Sequence, residues 1–192
     1  MVKSVNLYKN FNIKKQHKNS IILIGNFDGL HLGHQKLFTL AKKFKKKYSL
    51  KVGVLTFEPM PKMFFNKSLK HFRISSIEQK INLLTNFKVD FIIKKKFDNS
   101  FSKTKSIDFI EKILAKRLKA KFIFVSNNFK FGNKREGNVK QLIQFENKCN
   151  YKIIEPKPLL EKKKIISSSL IRKYLQIGKL ESANKLLNRK WS

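Results

Sequence analysis

Apolar residues fall into two patterns that alternate along the chain. Ile21-Ile22-Leu23-Ile24, Val52-Gly53-Val54-Leu55, Phe91-Ile92-Ile93, Phe122-Ile123-Phe124-Val125 and Tyr151-Lys152-Ile153-Ile154 are short, β-branched or aromatic, and of strand length. Between them the apolar positions take helical spacing: Leu37, Leu40, Ala41 and Phe44; Ile77, Ile81 and Leu84; Ile107, Ile110, Ile113 and Leu114; Val139, Leu142 and Ile143. Strands that alternate with helices need right-handed crossovers, which place the strands in a parallel sheet covered on both faces. The pattern therefore predicts an α/β, doubly wound, Rossmann-like domain over residues 1–192, with five parallel strands and helices on both faces. Ser75 or Ser76, Ser106 and Ser167 stand where helix N-caps are expected, and Ser168–Gln176 and Leu180–Leu187, separated by Gly178, give a helical C-terminal end. The stretch from Glu58 to Arg73 has no clear period and reads as a long loop, the kind that is often functional.

Composition narrows the classes. With 41% apolar residues and 18 Phe among 192, the chain can pack a core and is not disordered as a whole. The longest apolar run, Ile21–Ile24, is far below the roughly 20 residues of a membrane span. Met1 to Phe11 holds no apolar segment of signal-peptide type, and a single cysteine, Cys149, excludes an internal disulfide, so a cytoplasmic location is expected. Forty-four Lys and Arg against 12 Asp and Glu give a formal charge of +32. Lys, Ile, Phe and Asn, which share A/T-rich codons, make up 94 residues, and only five cations are Arg. The basicity therefore reads as compositional bias. Specific nucleic-acid readout would favour Arg's planar fork.

The chemistry concentrates after the first strand, in Gly25-Asn26-Phe27-Asp28-Gly29-Leu30-His31-Leu32-Gly33-His34, before a helix from about Gln35. A helix start at the carboxyl end of a central strand offers free N–H groups and the positive end of the dipole to an anion. Gly25, Gly29 and Gly33 would let phosphate approach the backbone, and His31 and His34, three apart, would project from one side as N–H donors. A lone His at a helix start more often caps or packs. Two of four His and three of seven Gly within ten residues weaken that explanation. His17 and His71 lack such surroundings and read as surface residues.

The segment resembles the signature of bacterial FAD synthetases, within the HxGH nucleotidyltransferases. Three further segments agree in order: Thr56-Phe57-Glu58-Pro59-Met60-Pro61, Asn128-Phe129-Lys130-Phe131-Gly132 and Ile166-Ser167-Ser168-Ser169-Leu170-Ile171-Arg172 resemble the family's TFEPHP, (N/D)FRFG and ISSTxIR. The resemblance implies that the phosphate of FMN attacks the α-phosphorus of ATP, giving FAD and pyrophosphate with Mg²⁺ present. It implies His31, His34, Ser169 and Arg172 as catalytic residues. Gly25, Asn26, Phe27, Asp28, Gly29, Gly33, Ser167 and Ser168 would hold ATP and its phosphates. Pro59, Pro61, Phe65, Asn128 and Phe131 would hold FMN, with Asn128 as polar anchor and Phe131 as an aromatic wall. No carboxylate cage for a metal is expected, with only four Asp in the chain, so Mg²⁺ would arrive with the nucleotide.

Met60, Lys130 and Ser169 depart from the family's usual His, Arg and Thr. The chain stops at Ser192, close to where the family's riboflavin kinase domain would begin, so a single nucleotidyltransferase domain that accepts FMN and leaves riboflavin untouched is expected. Two alternatives stay open: a related adenylyltransferase with another phosphate acceptor, and a basic nucleic-acid-associated protein on the same fold.

Overall fold

A computed structural model describes residues 5–69 and 72–191. Six strands form one sheet: β1 (Asn6–Tyr8), β2 (Ile21–Ile24), β3 (Val52–Glu58), β4 (Phe91–Lys96), β5 (Phe122–Phe124) and β8 (Lys152–Ile154). They run in the order β1-β4-β3-β2-β5-β8, and every pair is parallel. Five of these are the predicted strands. The sixth, β1, is a three-residue edge strand paired with Phe91–Ile93, and its Asn-Leu-Tyr sequence carries no apolar run by which to find it. Two small antiparallel ribbons stand apart from the sheet, β6 (Lys130–Phe131) with β7 (Gly137–Asn138) and β9 (Leu160–Glu161) with β10 (Lys164–Ile165).

Burial on both faces follows from the two-residue period of the strands. Ile22, Ile24, Leu55 and Ile93 point to one face, where Ile110, Ile113, Leu114 and Leu142 cover them. Ile21, Leu23, Val54 and Ile92 point to the other, under Leu37, Phe38, Ala41 and Leu84. The covering helices are α5 (Ser106–Asp108), continued as a π-helix over Phe109–Arg117, and α6 (Val139–Gln144) on the first face. On the second lie α1 (Leu32–Tyr48) and α3 (Ile77–Asn86). Ser76, not Ser75, caps α3, in a capping box with Gln79. Lys105 precedes α5 as its cap residue, and the Ser106 N–H instead donates to Glu136 at 2.7 Å. Within the expected loop, Pro61–Phe65 forms α2, with the proline at the helix start where its missing N–H is harmless. Short helices α4 (Asn99–Ser102) and α7 (Glu146–Cys149) complete the connections. The C-terminal pair, α8 (Ser168–Gln176) and α9 (Leu180–Leu187), packs with Ile74 and Ile166 in a third apolar cluster.

His17 corrects the sequence reading. It is buried, with Nδ1 2.7 Å from the Tyr8 hydroxyl and its ring stacked on Phe91 at 4.5 Å, so it locks the edge strand onto the sheet. His71 lies outside the described residues. Among those residues no helix is long and apolar enough to cross a membrane.

Gly53 shows how tightly the sheet is covered. It pairs with Phe91, and a Cβ at Gly53 would come 2.1 Å from the Phe91 ring. Gly53→Ala is expected to cost about 1–3 kcal/mol through overpacking. A thermal melt reads the loss, and an unchanged Tm would mean that the ring has room to move aside.

Candidate active site

Strand β2 is flanked by β3 on one side and β5 on the other, so the chain winds away in both directions from its carboxyl end. A crevice opens where the winding reverses. Here a cleft of about 550 Å³ is lined by the turn after β2, by Ser126–Lys130 after β5, by Met60–Lys62, and by Ile166–Ser169 with Arg172.

The turn from Gly25 to Leu30 is strained and anchored. Phe27 (φ 49°) and Leu30 (φ 40°) take the left-handed conformation that side chains disfavour, at about 1–3 kcal/mol each. Burial of both side chains, Phe27 against Phe38 and Leu30 in the same core, holds them there. Gly29 (φ 76°) sits between them, and a Cβ on it would lie 2.9 Å from Ile74 and 3.1 Å from Leu187. Its smallness therefore serves packing behind the turn. Gly29 does not line the cleft, contrary to the expected phosphate contact.

His31 is the N-cap of α1, and its Nδ1 accepts the His34 N–H at 3.4 Å. A neutral ring that accepts at Nδ1 carries its proton on Nε2, which is then free to donate. The His31 and His34 rings stack with centroids 3.7 Å apart and an interplanar angle of 21°. Gly33 permits this closeness, since a Cβ there would be 3.1 Å from the His31 ring and 3.4 Å from the Ile166 carbonyl. His34 Nδ1 is buried without a protein partner, and Phe27 meets the His34 ring edge-on.

Both histidines are neutral at neutral pH. Burial, and secondly the Arg172 charge, lowers His31 to about 4. Burial, then His31, holds His34 well below its ordinary value of 6.5. The unfolded chain takes up these protons near pH 6.5 and the folded chain does not, so stability is full above that pH and falls as pH drops toward 4. For His31 alone the loss is about 3 kcal/mol. Denaturant unfolding at pH 7 and pH 4.5 measures it. His31→Asn should flatten the decline, and an unchanged decline would contradict the burial of a neutral ring.

Across the cleft, Ser167 caps α8 by accepting the Leu170 N–H at 3.2 Å, and the Ser168 hydroxyl donates to the Asp28 carbonyl at 3.0 Å. Ser169 is exposed to the cleft. Arg172 lies with its guanidinium 3.7 Å over the Phe72 ring, donating from Nε to the Phe72 carbonyl and from Nη2 to Asp28, each at 2.7 Å. The Asp28 carboxylate also accepts the N–H groups of Ile74 and Ser75. It is committed to the protein and is not available to receive a nucleotide, which corrects its expected role as a phosphate-site group. Phe27 likewise contributes to the cleft wall chiefly as core.

The residues expected at a flavin are divided. Asn128 and Pro61 line the cleft, with the Asn128 Oδ1 accepting the Ser126 hydroxyl at 2.9 Å. Pro59 and Phe65 do not, and Phe65 is 68% exposed. Phe131 is not a wall of the cleft: it is buried between Phe109 and Phe129, against Gly137, where a Cβ would collide with its ring. The aromatic and apolar walls are instead Phe57, Met60, Phe72 and Phe129, and Lys36, Lys62, Lys130, Lys157 and Arg135 add positive charge. Among the described residues no group of three His, Cys, Asp or Glu could hold a metal ion.

A basic switch-point cleft presents two neutral imidazoles at one helix start, and serines with an arginine at another, a donor set suited to an anionic group. The chain belongs to the FAD synthetase family, whose model matches residues 13–170. It is 43% identical over 182 residues to a bifunctional riboflavin kinase/FMN adenylyltransferase of Buchnera aphidicola subsp. Schizaphis graminum, covering 94% of this chain and 58% of that protein. A protein of the same description from Buchnera aphidicola subsp. Acyrthosiphon pisum is 40% identical over 181 residues, with the same coverage. The chain thus spans a little over half the length of these relatives. The crystal structure of a macrolide-efflux protein from Streptococcus pneumoniae matches with a TM-score of 0.82 at 26% identity, over 96% of this chain and 60% of that one.

Proposed function

We propose that the cleft transfers the adenylyl group of ATP to FMN. A phosphate oxygen of FMN attacks the α-phosphorus, the bond from that phosphorus to the bridging oxygen of the β-phosphate breaks, and pyrophosphate leaves as FAD forms. The paired neutral histidines at the start of α1, opposite Ser169 and Arg172, carry this reading. Negative charge builds on the phosphoryl oxygens in the transition state, and preset donors act there at little reorganisation cost. His31 Nε2–H and the His34 ring meet the α-phosphoryl oxygens, the N–H groups opening α1 add their dipoles, and Ser169 and Arg172 hold the leaving pyrophosphate. Holding two anionic substrates in line is the rest of the catalysis, and no protein nucleophile takes part.

Asp28 is the sole carboxylate among the described residues lining the cleft, and Arg172 and two N–H groups occupy it. The phosphates of ATP, and not a carboxylate of the cleft, would therefore hold Mg²⁺, which would supply charge neutralisation. The flavin lies toward Asn128, Phe129 and Met60. Pyrophosphate release from Mg-ATP, measured with FMN, nicotinate mononucleotide or pantetheine phosphate as acceptor, tests the assignment. FMN is expected to be used at least about 10²-fold better in kcat/KM, as a site built around one acceptor can discriminate. Preference for another acceptor would reassign the substrate within the same chemistry.

A further inference from the structure

Asp28 lines the cleft but is only 4% exposed, and both of its carboxylate oxygens are engaged within the protein. Its Oδ1 accepts from Ile74 N at 3.0 Å and Ser75 N at 3.2 Å, and its Oδ2 from Ile74 N at 3.1 Å and Arg172 Nη2 at 2.7 Å. The segment Phe72–Ser75 is thus a strap that runs between the turn after β2 and α8. Behind it lies the end of the chain. The Trp191 indole N–H donates to the Ile74 carbonyl at 2.8 Å, and Arg189 Nη2 reaches the Ser75 hydroxyl at 3.1 Å and the Gly29 carbonyl at 3.4 Å. At the front, Arg172 is held on three sides, by the Phe72 carbonyl, the Phe72 ring and Asp28. Those contacts use Nε and Nη2, and Nη1 is the edge left for a ligand.

We propose that Asp28 is a positioning residue that acts through Arg172, and that the strap, braced by Trp191 and Arg189, keeps it there. An arginine on a surface helix samples many rotamers, and each must be given up when it binds phosphate. Here the plane of the guanidinium is set before any ligand arrives. This role rests on the adenylyl-transfer reading, in which Arg172 meets phosphate.

The test is a double-mutant cycle with Asp28→Asn and Arg172→Gln in the full chain. The asparagine oxygen can still accept from Ile74 and Ser75, whereas its amide faces Arg172 with a donor against a donor. Asp28→Asn is expected to lower kcat about 10- to 100-fold with KM for FMN within about threefold, the pattern of an interaction made in the transition state. Combined with Arg172→Gln it should add less than about twofold. Trp191 is the one tryptophan, so its emission reports whether the strap is intact, and it should be unchanged. In folded protein, losses that multiply would overturn the proposal and make Asp28 a folding element only. Should Asp28→Asn not fold, Trp191→Phe keeps an aromatic ring, though a smaller one, and removes the N–H. It should then lower kcat in the parent and have no effect beside Arg172→Gln, and equal effects in both would overturn the proposal. If the parent makes no FAD, the functional reading fails by itself, and the same cycle read as the Kd of Mg-ATP by calorimetry still shows whether Asp28 and Arg172 are coupled.

Discussion

His34→Ala is expected to lower kcat for FAD formation by about 10²–10³, the usual loss when one preset transition-state donor is removed. The melt should fall only by the lost ring contacts with His31 and Phe27, because His34 Nδ1 has no protein hydrogen bond to lose. His31→Ala should match the loss of activity and differ in stability. His31 also caps α1 through Nδ1, so its removal costs about 0.5–2 kcal/mol in addition. His31→Asn, which can restore a cap acceptor, should recover the stability and not the rate. If either alanine variant keeps its rate within about threefold of the parent, that ring does not face the reacting phosphorus.

Glu58→Gln is expected to destabilise the fold by about 3–5 kcal/mol, the cost of stranding buried charge. Glu58 ends β3 where the chain enters the cleft loop, and its carboxylate takes a two-pronged pair from Arg73, with Arg73 Nη1 at 2.8 Å from Oε2. Lys80 sits 4.0 Å from the same carboxylate with only 3% of its side chain exposed. Burial pulls the Lys80 ammonium below its ordinary pKa, and the Glu58 charge opposes that shift. Neutralising Glu58 therefore leaves two cations facing each other in a water-poor place. Lys80→Met removes one of those cations with most of its stem retained, and should cost less than Glu58→Gln. Denaturant melts of the two variants give the comparison, and the reverse order would mean that the pair is more solvated than its burial indicates.

The sheet and the turn that brings His31 and His34 together were legible because each rests on a local signal. Four of the five predicted strands are apolar throughout, α8 and α9 begin and end where caps and Gly178 place them, and His31, Gly33 and His34 meet because three residues make nearly one turn. The edge strand β1 was not legible, since it borrows its order from Phe91 and His17. The flavin wall was misread for a related reason. Phe129 and Phe131, two residues apart, lie on the same side and stack on each other, and which of them is buried depends on Phe109 and Gly137, far off in sequence. Asp28 was misread because its partners, Ile74, Ser75 and Arg172, lie 46 to 144 residues away. One signal was used too narrowly. Four of the five Arg, namely Arg73, Arg135, Arg172 and Arg189, lie at the cleft or brace it.

The most direct measurement follows the phosphorus. Incubated with FMN and Mg-ATP labelled at the α-phosphate, the protein should transfer label to FAD in step with pyrophosphate release, and ATP labelled at the γ-phosphate should leave FAD unlabelled. Folded protein that forms no labelled FAD, or that moves the γ-label onto the flavin, would contradict adenylyl transfer at this cleft.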